Sequence, residues 1–379
     1  MKYNWDLKQI KNLKKEAIKG LFNSEFTFIE KALIKESLKA INEIEASLIF
    51  KKNIIPYYTF SKYIDKTHCI TKNIYQEYKK IPLDMRLDIL GATNVFCQLV
   101  DLYQDIDLSK INLSNDKLIE LSYNFFKWLP TENKEYEQLF LQYTNPNNHL
   151  LKFTKISNDV VGSCYSIYYP TFLSYFSITR ENSIDDFSTL NHELSHGIFF
   201  KNGTCISLNN NSYFLYELEG HFFDFLSIEF LKDKISQEEI DQLKYSRFHT
   251  QLCNFINFYI SSFAINLFDK NKEISIVPIQ KKVLEKNLPF NITESNLINS
   301  LRENPTTNFK YLFSYFTSLD LESIYEFDPE YAFYLFEQIR TNKTDDVYHN
   351  LREHGITFMD DGYESLQKTI KYINKLGRK

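Results

Sequence analysis

Residues 183–203 read SIDDFSTLNHELSHGIFFKNG, and the pentad His192-Glu193-Leu194-Ser195-His196 inside it is an H-E-x-x-H pattern. On a helix, positions four apart stand on one face, so both imidazoles reach one metal ion. Glu193 then lies beside the same ion, where a carboxylate takes a proton from water. The flanks supply the helix. Ser183 with Asp186 reads as a capping box and Asn202-Gly203 as a stop, which brackets a helix over 184–201. Phe187, Leu190, Leu194 and Ile198 give it an apolar stripe at helical spacing, with His192 and His196 on the stripe's border.

Two histidines leave a catalytic zinc one protein ligand short, with the fourth position kept for water. The run Tyr-Glu-Leu-Glu-Gly-His-Phe-Phe-Asp over 216–224 offers Glu217, Glu219, His221 and Asp224. Glu217, His221 and Asp224 share one helical face, and Glu219 points away from it. Glu217 and Asp224 are the carboxylates on that face, and His221 is either a ligand or a partner to one.

Composition excludes several other chemistries. The chain has 379 residues and a net charge of −5, so no basic field invites nucleic acid. Nine glycines form neither G-x-G-x-x-G nor G-x-x-x-x-G-K-[ST], which argues against nucleotide phosphate chemistry. Five widely spaced cysteines without a C-x-x-C fit a reducing cytosol. The N-terminal stretch lacks an apolar signal core, and the apolar run over 252–268 is interrupted by Asn254, Asn257 and Asn266. The expectation is a soluble cytoplasmic protein with no membrane partner. Aromatic residues make up 16% of the chain, which allows either a biased core or an aromatic-lined channel.

Most of the sequence reads helical. Ser24 is placed as the cap of a helix running to about residue 50, Ser114 begins one to Trp128, and another starts at Thr131 and closes at Asn145-Pro146-Asn147-Asn148. Strands are expected over Gly162–Tyr169 and Thr171–Thr179, on either side of Pro170. Beyond the motif, Ser212 is read as a cap for a helix to about 231. Ser236 with Glu239 caps a long one to about 269, and Asp328-Pro329 begins a further helix. A division is placed at 105/106, giving an N-terminal helical region over 1–105 and a catalytic domain over 106–379.

Several of these segments together resemble the thimet oligopeptidase and oligoendopeptidase F family of zinc metallopeptidases. Gly162-Ser163-Cys164-Tyr165 and Thr171-Phe-Leu-Ser-Tyr-Phe176 resemble its edge strand and following strand, and residues 185–196 resemble its active-site helix. Glu217 and Asp224 resemble its Glu ligand and the acid seven residues on. FKYLFSYFTS over 309–318 resembles its Tyr-rich helix, with Tyr315 and Tyr311 on characteristic tyrosines, and residues 346–358 resemble its closing helix and turn. The resemblance implies a mainly α, zincin-like fold: a large helical domain, a small β-sheet beside the active-site helix, and a substrate cleft or channel. It implies one Zn2+ per chain on His192, His196 and Glu217, with Glu193 as base. Tyr315 and Tyr311 would serve the oxyanion, and Gly162, Ser163, Cys164 and Tyr165 would pair with a peptide substrate. One departure stands out. The family usually carries a substrate-binding His shortly before the Tyr-rich helix, and here 303–308 read ENPTTN. His249 and His354 are the histidines left to fill that place. The departure sets a second reading beside the endopeptidase: a zinc-binding peptide-recognition protein, or a narrowly specific peptidase with low general activity. Oligomeric state is not legible.

Overall fold

The computed structural model describes residues 3–50, 78–83, 85–87, 89, 113–131, 134–155, 162–201, 215, 217–268, 305–341 and 347–356. The chain separates into two compact units, one made of residues 1–56, 108–206 and 219–243, the other of 57–107, 207–218 and 244–379.

In the first unit, α1 (Leu7–Phe22) and α2 (Phe28–Phe50) pack together as consecutive helices. The cap of α2 corrects the sequence reading. It is Thr27, not Ser24: the Thr27 N–H donates to Glu30 Oε2 at 2.7 Å and the Glu30 N–H donates to Thr27 Oγ1 at 3.3 Å. Both donors of the first turn are thereby satisfied by a local pair, which Ser24 is too far upstream to provide. α3 (Asn115–Trp128) starts on Ser114, whose hydroxyl accepts from the Lys117 N–H, as the sequence predicts. α4 spans Glu135–Thr144, starting four residues after the expected Thr131. Asn145-Pro146 ends it in a short 3₁₀ turn, where the Asn145 side chain accepts from the Asn147 N–H.

Three strands follow: β1 (Leu151–Lys155), β2 (Gly162–Ile167) and β3 (Leu173–Arg180). Their order is β1-β3-β2, with β1 parallel and β2 antiparallel to β3. The sequence reading anticipates β2 and β3; β1 is missed because LKFTK is short and alternates for only four residues. β3 holds the centre, and seven of its eight residues are buried. Among the described residues, β2 is an edge strand.

α5 (Asp185–Lys201) carries the motif and packs on β2 and β3, and α6 (Leu218–Leu231) follows. Ser212, the expected cap of α6, lies outside the described residues. Phe125 of α3 makes edge-on contacts with Phe187 of α5 and with Phe223 and Phe230 of α6, at 5.7–5.9 Å between ring centroids. Each such ring buried on folding contributes about 2–3 kcal/mol, and each edge-to-face contact about 1 kcal/mol more. Part of the high phenylalanine content is thus a clamp that fixes the two helices bearing the polar groups.

α7 (Gln237–Phe268) begins on the Ser236/Glu239 capping box that the sequence predicts, with Glu239 Oε2 accepting from Ser236 N at 2.8 Å. In the second unit, α8 (Pro305–Tyr325) packs against α7 through Phe309 on Phe258 and Phe316 on Phe255. α9 (Pro329–Thr341) starts after Asp328, whose carboxylate accepts from the Tyr331 N–H at 2.9 Å, and packs on α8. α10 (Val347–Glu353) closes at Gly355, which has a φ of 75°. No described helix is long and apolar enough to cross a membrane.

Candidate metal centre

The N-terminus of α5 is set by charge, not by the capping box read from sequence. Asp186 is buried, and its carboxylate accepts from Arg180 Nε at 2.7 Å and from the N–H groups of Glu181 and Asn182 at 2.9 and 3.0 Å. The Arg180 guanidinium reaches on to Asn115 Oδ1 and the Leu113 carbonyl. Ser183 contributes only its carbonyl, to the Asp186 N–H, and its hydroxyl has no partner. The physical reason is that Arg180, at the end of β3, holds the carboxylate upstream of the Ser183 N–H. Farther along α5, the Tyr143 hydroxyl of α4 donates to the Gly197 carbonyl at 3.0 Å.

His192 and His196 stand four residues apart on α5, their ring centroids 4.9 Å apart and their planes at 81°. His192 Nδ1 is 3.0 Å from Asp224 Oδ2, and His196 Nδ1 is 3.2 Å from Glu219 Oε1. A carboxylate only accepts, so each pairing puts the proton on Nδ1 and the lone pair on Nε2, the form in which imidazole binds a metal. Asp224 thus lies against His192. The residue that sequence reasoning set aside, Glu219, lies against His196 and is 1% exposed. Asp224 is anchored a second time, by Ser188 Oγ at 2.9 Å, and His221 Nδ1 stands 3.9 Å from it. Burial works to raise the Asp224 carboxyl, but the imidazoles of His192 and His221 prevail and hold it well below the usual carboxylate range.

Two glycines make room for this arrangement. A Cβ on Gly220 would come within 2.3–2.8 Å of three atoms of the His192 ring, so the imidazole occupies the space that a side chain there would take. A Cβ on Gly162 would meet the Glu193 carboxylate at 2.6 Å and Thr189 at 2.9 Å. Glu193 therefore rests against the first residue of β2. Of the other residues assigned there, Cys164 is intermediate in exposure; burial and then the nearby Glu193 charge push its thiol well above the ordinary range. Tyr165 meets Trp5 edge-on at 5.7 Å, and burial pushes its phenol up to about 12. The Ser163 hydroxyl donates to the Gly162 carbonyl.

Glu217 directly precedes α6. It belongs to the second unit. With His192 and His196 it makes up the ligand set expected from the sequence. The donor set, two imidazoles and a carboxylate, is one that zinc takes. His192, His221 and Asp224 form a second such group. It shares His192 with the first, and in it the short His192–Asp224 contact already has the geometry of a hydrogen bond.

In the second unit, Tyr315 is buried, with the Arg247 guanidinium 5.2 Å from its ring centroid. Arg247 in turn donates to Ser318 and pairs with Glu322. Tyr311 lies under the Lys310 ammonium, 5.1 Å from the ring centroid. The His354 ring bonds the Asn350 carbonyl at 2.7 Å through Nδ1, a local contact at the end of α10. The side chain of His249 lies outside the described residues.

No protein-family model matches the chain, and no curated protein matches it. Solved structures do. A structure assigned to oligoendopeptidase F from Bacillus anthracis str. Ames is 15% identical, with a TM-score of 0.53, over 99% of this chain and 70% of that one. PZ peptidase A with an inhibitor is 12% identical, with a TM-score of 0.53, over 97% of this chain and 71% of that one. At these identities the likeness is one of fold, and the fold expected from the sequence is the fold found.

Proposed function

We propose that the chain is a zinc metallopeptidase that hydrolyses short peptides. The observation that carries the reading is the paired setting of His192 and His196, each with Nδ1 against its own carboxylate. The oligoendopeptidase F and PZ peptidase folds support a peptidase, and an edge strand at β2 suits an extended peptide bound by strand addition. His192, His196 and Glu217 would hold the metal. Bound there, zinc supplies a Lewis acid for the scissile carbonyl and an acidified water.

The protein's own groups do the rest. The Glu193 carboxylate takes a proton as the water oxygen adds to the carbonyl carbon, then delivers it to the amide nitrogen as the C–N bond breaks. Tyr315, and with it Tyr311, donates to the developing oxyanion. Asp224 and Glu219 keep the imidazoles in one tautomer and orientation. His221 sits behind Asp224, in a supporting place and not as a ligand.

The test is Glu193→Gln on purified protein, read by zinc content and by mass spectrometry of a peptide library. Zinc should stay near one per chain while cleavage falls by about 10²–10⁴-fold. Undiminished cleavage would sink the mechanism. Wild-type protein that holds zinc but cuts nothing would favour the peptide-recognition reading, for which the ENPTTN stretch over 303–308 speaks.

A further inference from the structure

The second unit contains an ion pair that the reaction above does not use. Lys310 Nζ of α8 lies 2.8 Å from Glu217 Oε1, and the two side chains are 12% and 5% exposed. The same ammonium stands over the Tyr311 ring. A lysine gives up most of its hydration only against fixed partners, and here it has a carboxylate and a π-face. Its place is therefore determined from two sides. The carboxylate it engages is the residue read as the third metal ligand.

A carboxylate has two oxygens and binds zinc through one or both. A cation fixed on Oε1 favours a single-oxygen bond and keeps Glu217 from swinging between modes. The charge count agrees. Glu193, Glu217, Glu219 and Asp224 bring four carboxylates to the proposed centre, twice the charge of one divalent ion, and Lys310 offsets one of them. Glu219 on His196 adds a carboxylate that the Nδ1 of a neutral imidazole does not cancel, so a compensating cation has a physical reason to be there.

We propose that Lys310 is a positioning residue for the metal: its ammonium holds Glu217 through Oε1 so that the remaining oxygen is presented to the ion. This rests on the reading of Glu217 as a ligand. It has a definite rival, in which Lys310 is an internal competitor that occupies Glu217 until a metal displaces it. Removing the charge weakens metal binding under positioning and tightens it under competition.

The experiment titrates Zn2+ into metal-free full-length protein against a chelating indicator. Under positioning, K310M and K310Q lower zinc affinity by roughly 10–100-fold, while K310R, which keeps the cation, stays within a few fold of wild type. A double-mutant cycle supplies the readout that a merely structural role would not move. In an E217Q background, which has already lost the ligand, adding K310M should change zinc affinity little. Unchanged or tighter zinc binding in K310M and K310Q overturns the proposal, as does a K310M loss that persists in full alongside E217Q. If K310M does not fold, K310Q and the E217Q/K310M pair, neutral on both sides, decide the question. A wild-type protein that binds no zinc overturns the metal reading itself and takes this inference with it; a wild type that binds zinc alongside indifferent Lys310 variants leaves that reading intact.

Discussion

The α5–α6 pair and α8 make their polar groups ready in different ways. On α5 and α6, imidazoles meet carboxylates at 3.0 and 3.2 Å, and Gly220 and Gly162 remove the side chains that would block His192 and Glu193. On α8, Tyr315 is buried beside the Phe316 ring at 6.2 Å and under the Arg247 guanidinium. On the proposed function the first region would hold an ion at fixed coordinates, because the distance tolerance of a metal bond is a few tenths of an ångström. On the same reading the second would hold the Tyr315 hydroxyl at the end of a rigid, buried ring. The comparison therefore separates substitutions into those that release metal and those that slow the reaction without releasing it.

The sharpest separation comes from Tyr315→Phe. If Tyr315 serves the oxyanion as proposed, losing its hydroxyl should lower kcat by about 10²–10³-fold, with zinc affinity and melting temperature close to wild type. Steady-state kinetics and metal titration on the same preparation check it. A loss of zinc from this variant would erase the distinction between the two regions. On the other side, Gly220→Ala places a methyl inside the contact distance of the His192 ring, and the imidazole must leave its plane or α6 must retreat. Zinc affinity should fall by about 100-fold while far-UV circular dichroism shows the helices retained. An alanine variant with full affinity would mean that the ring does not lie where α6 backbone holds it.

How much of this was legible depended on whether a cause was local. Ser114, the Ser236/Glu239 box and Asp328-Pro329 were readable as helix starts because each satisfies backbone donors within one turn. His192 and His196 were readable because four residues on a helix fix their relation without help. Glu219 was not. Its contact with His196 follows from how closely α6 approaches α5 at Gly220, a tertiary fact. Asp186 was misread for a similar reason: its partner Arg180 sits at the end of β3, and no capping pattern contains it. Lys310 carries no motif at all. Only the ion pair with Glu217, distant in sequence, marks it.

The smallest effects test whether the two imidazole–carboxylate pairs are equivalent. Asp224→Asn and Glu219→Gln each keep an acceptor oxygen for the Nδ1 proton and lose the charge, so each should weaken zinc by about 10–100-fold. Their effects on the metal-free protein should differ. Glu219 is 1% exposed, while Asp224 is 17% exposed and is also held by Ser188. Neutralising Glu219 removes the larger desolvation cost, so the melting temperature of apo Glu219→Gln should match or exceed wild type, and that of apo Asp224→Asn should fall. Thermal unfolding of the two apo variants reads that difference directly. The double variant completes the argument. The pairs act on different ligands, so the logarithms of their zinc losses should add. A shortfall of more than a few fold would mean that the two carboxylates work as one network, and the histidines could no longer be treated as separately held.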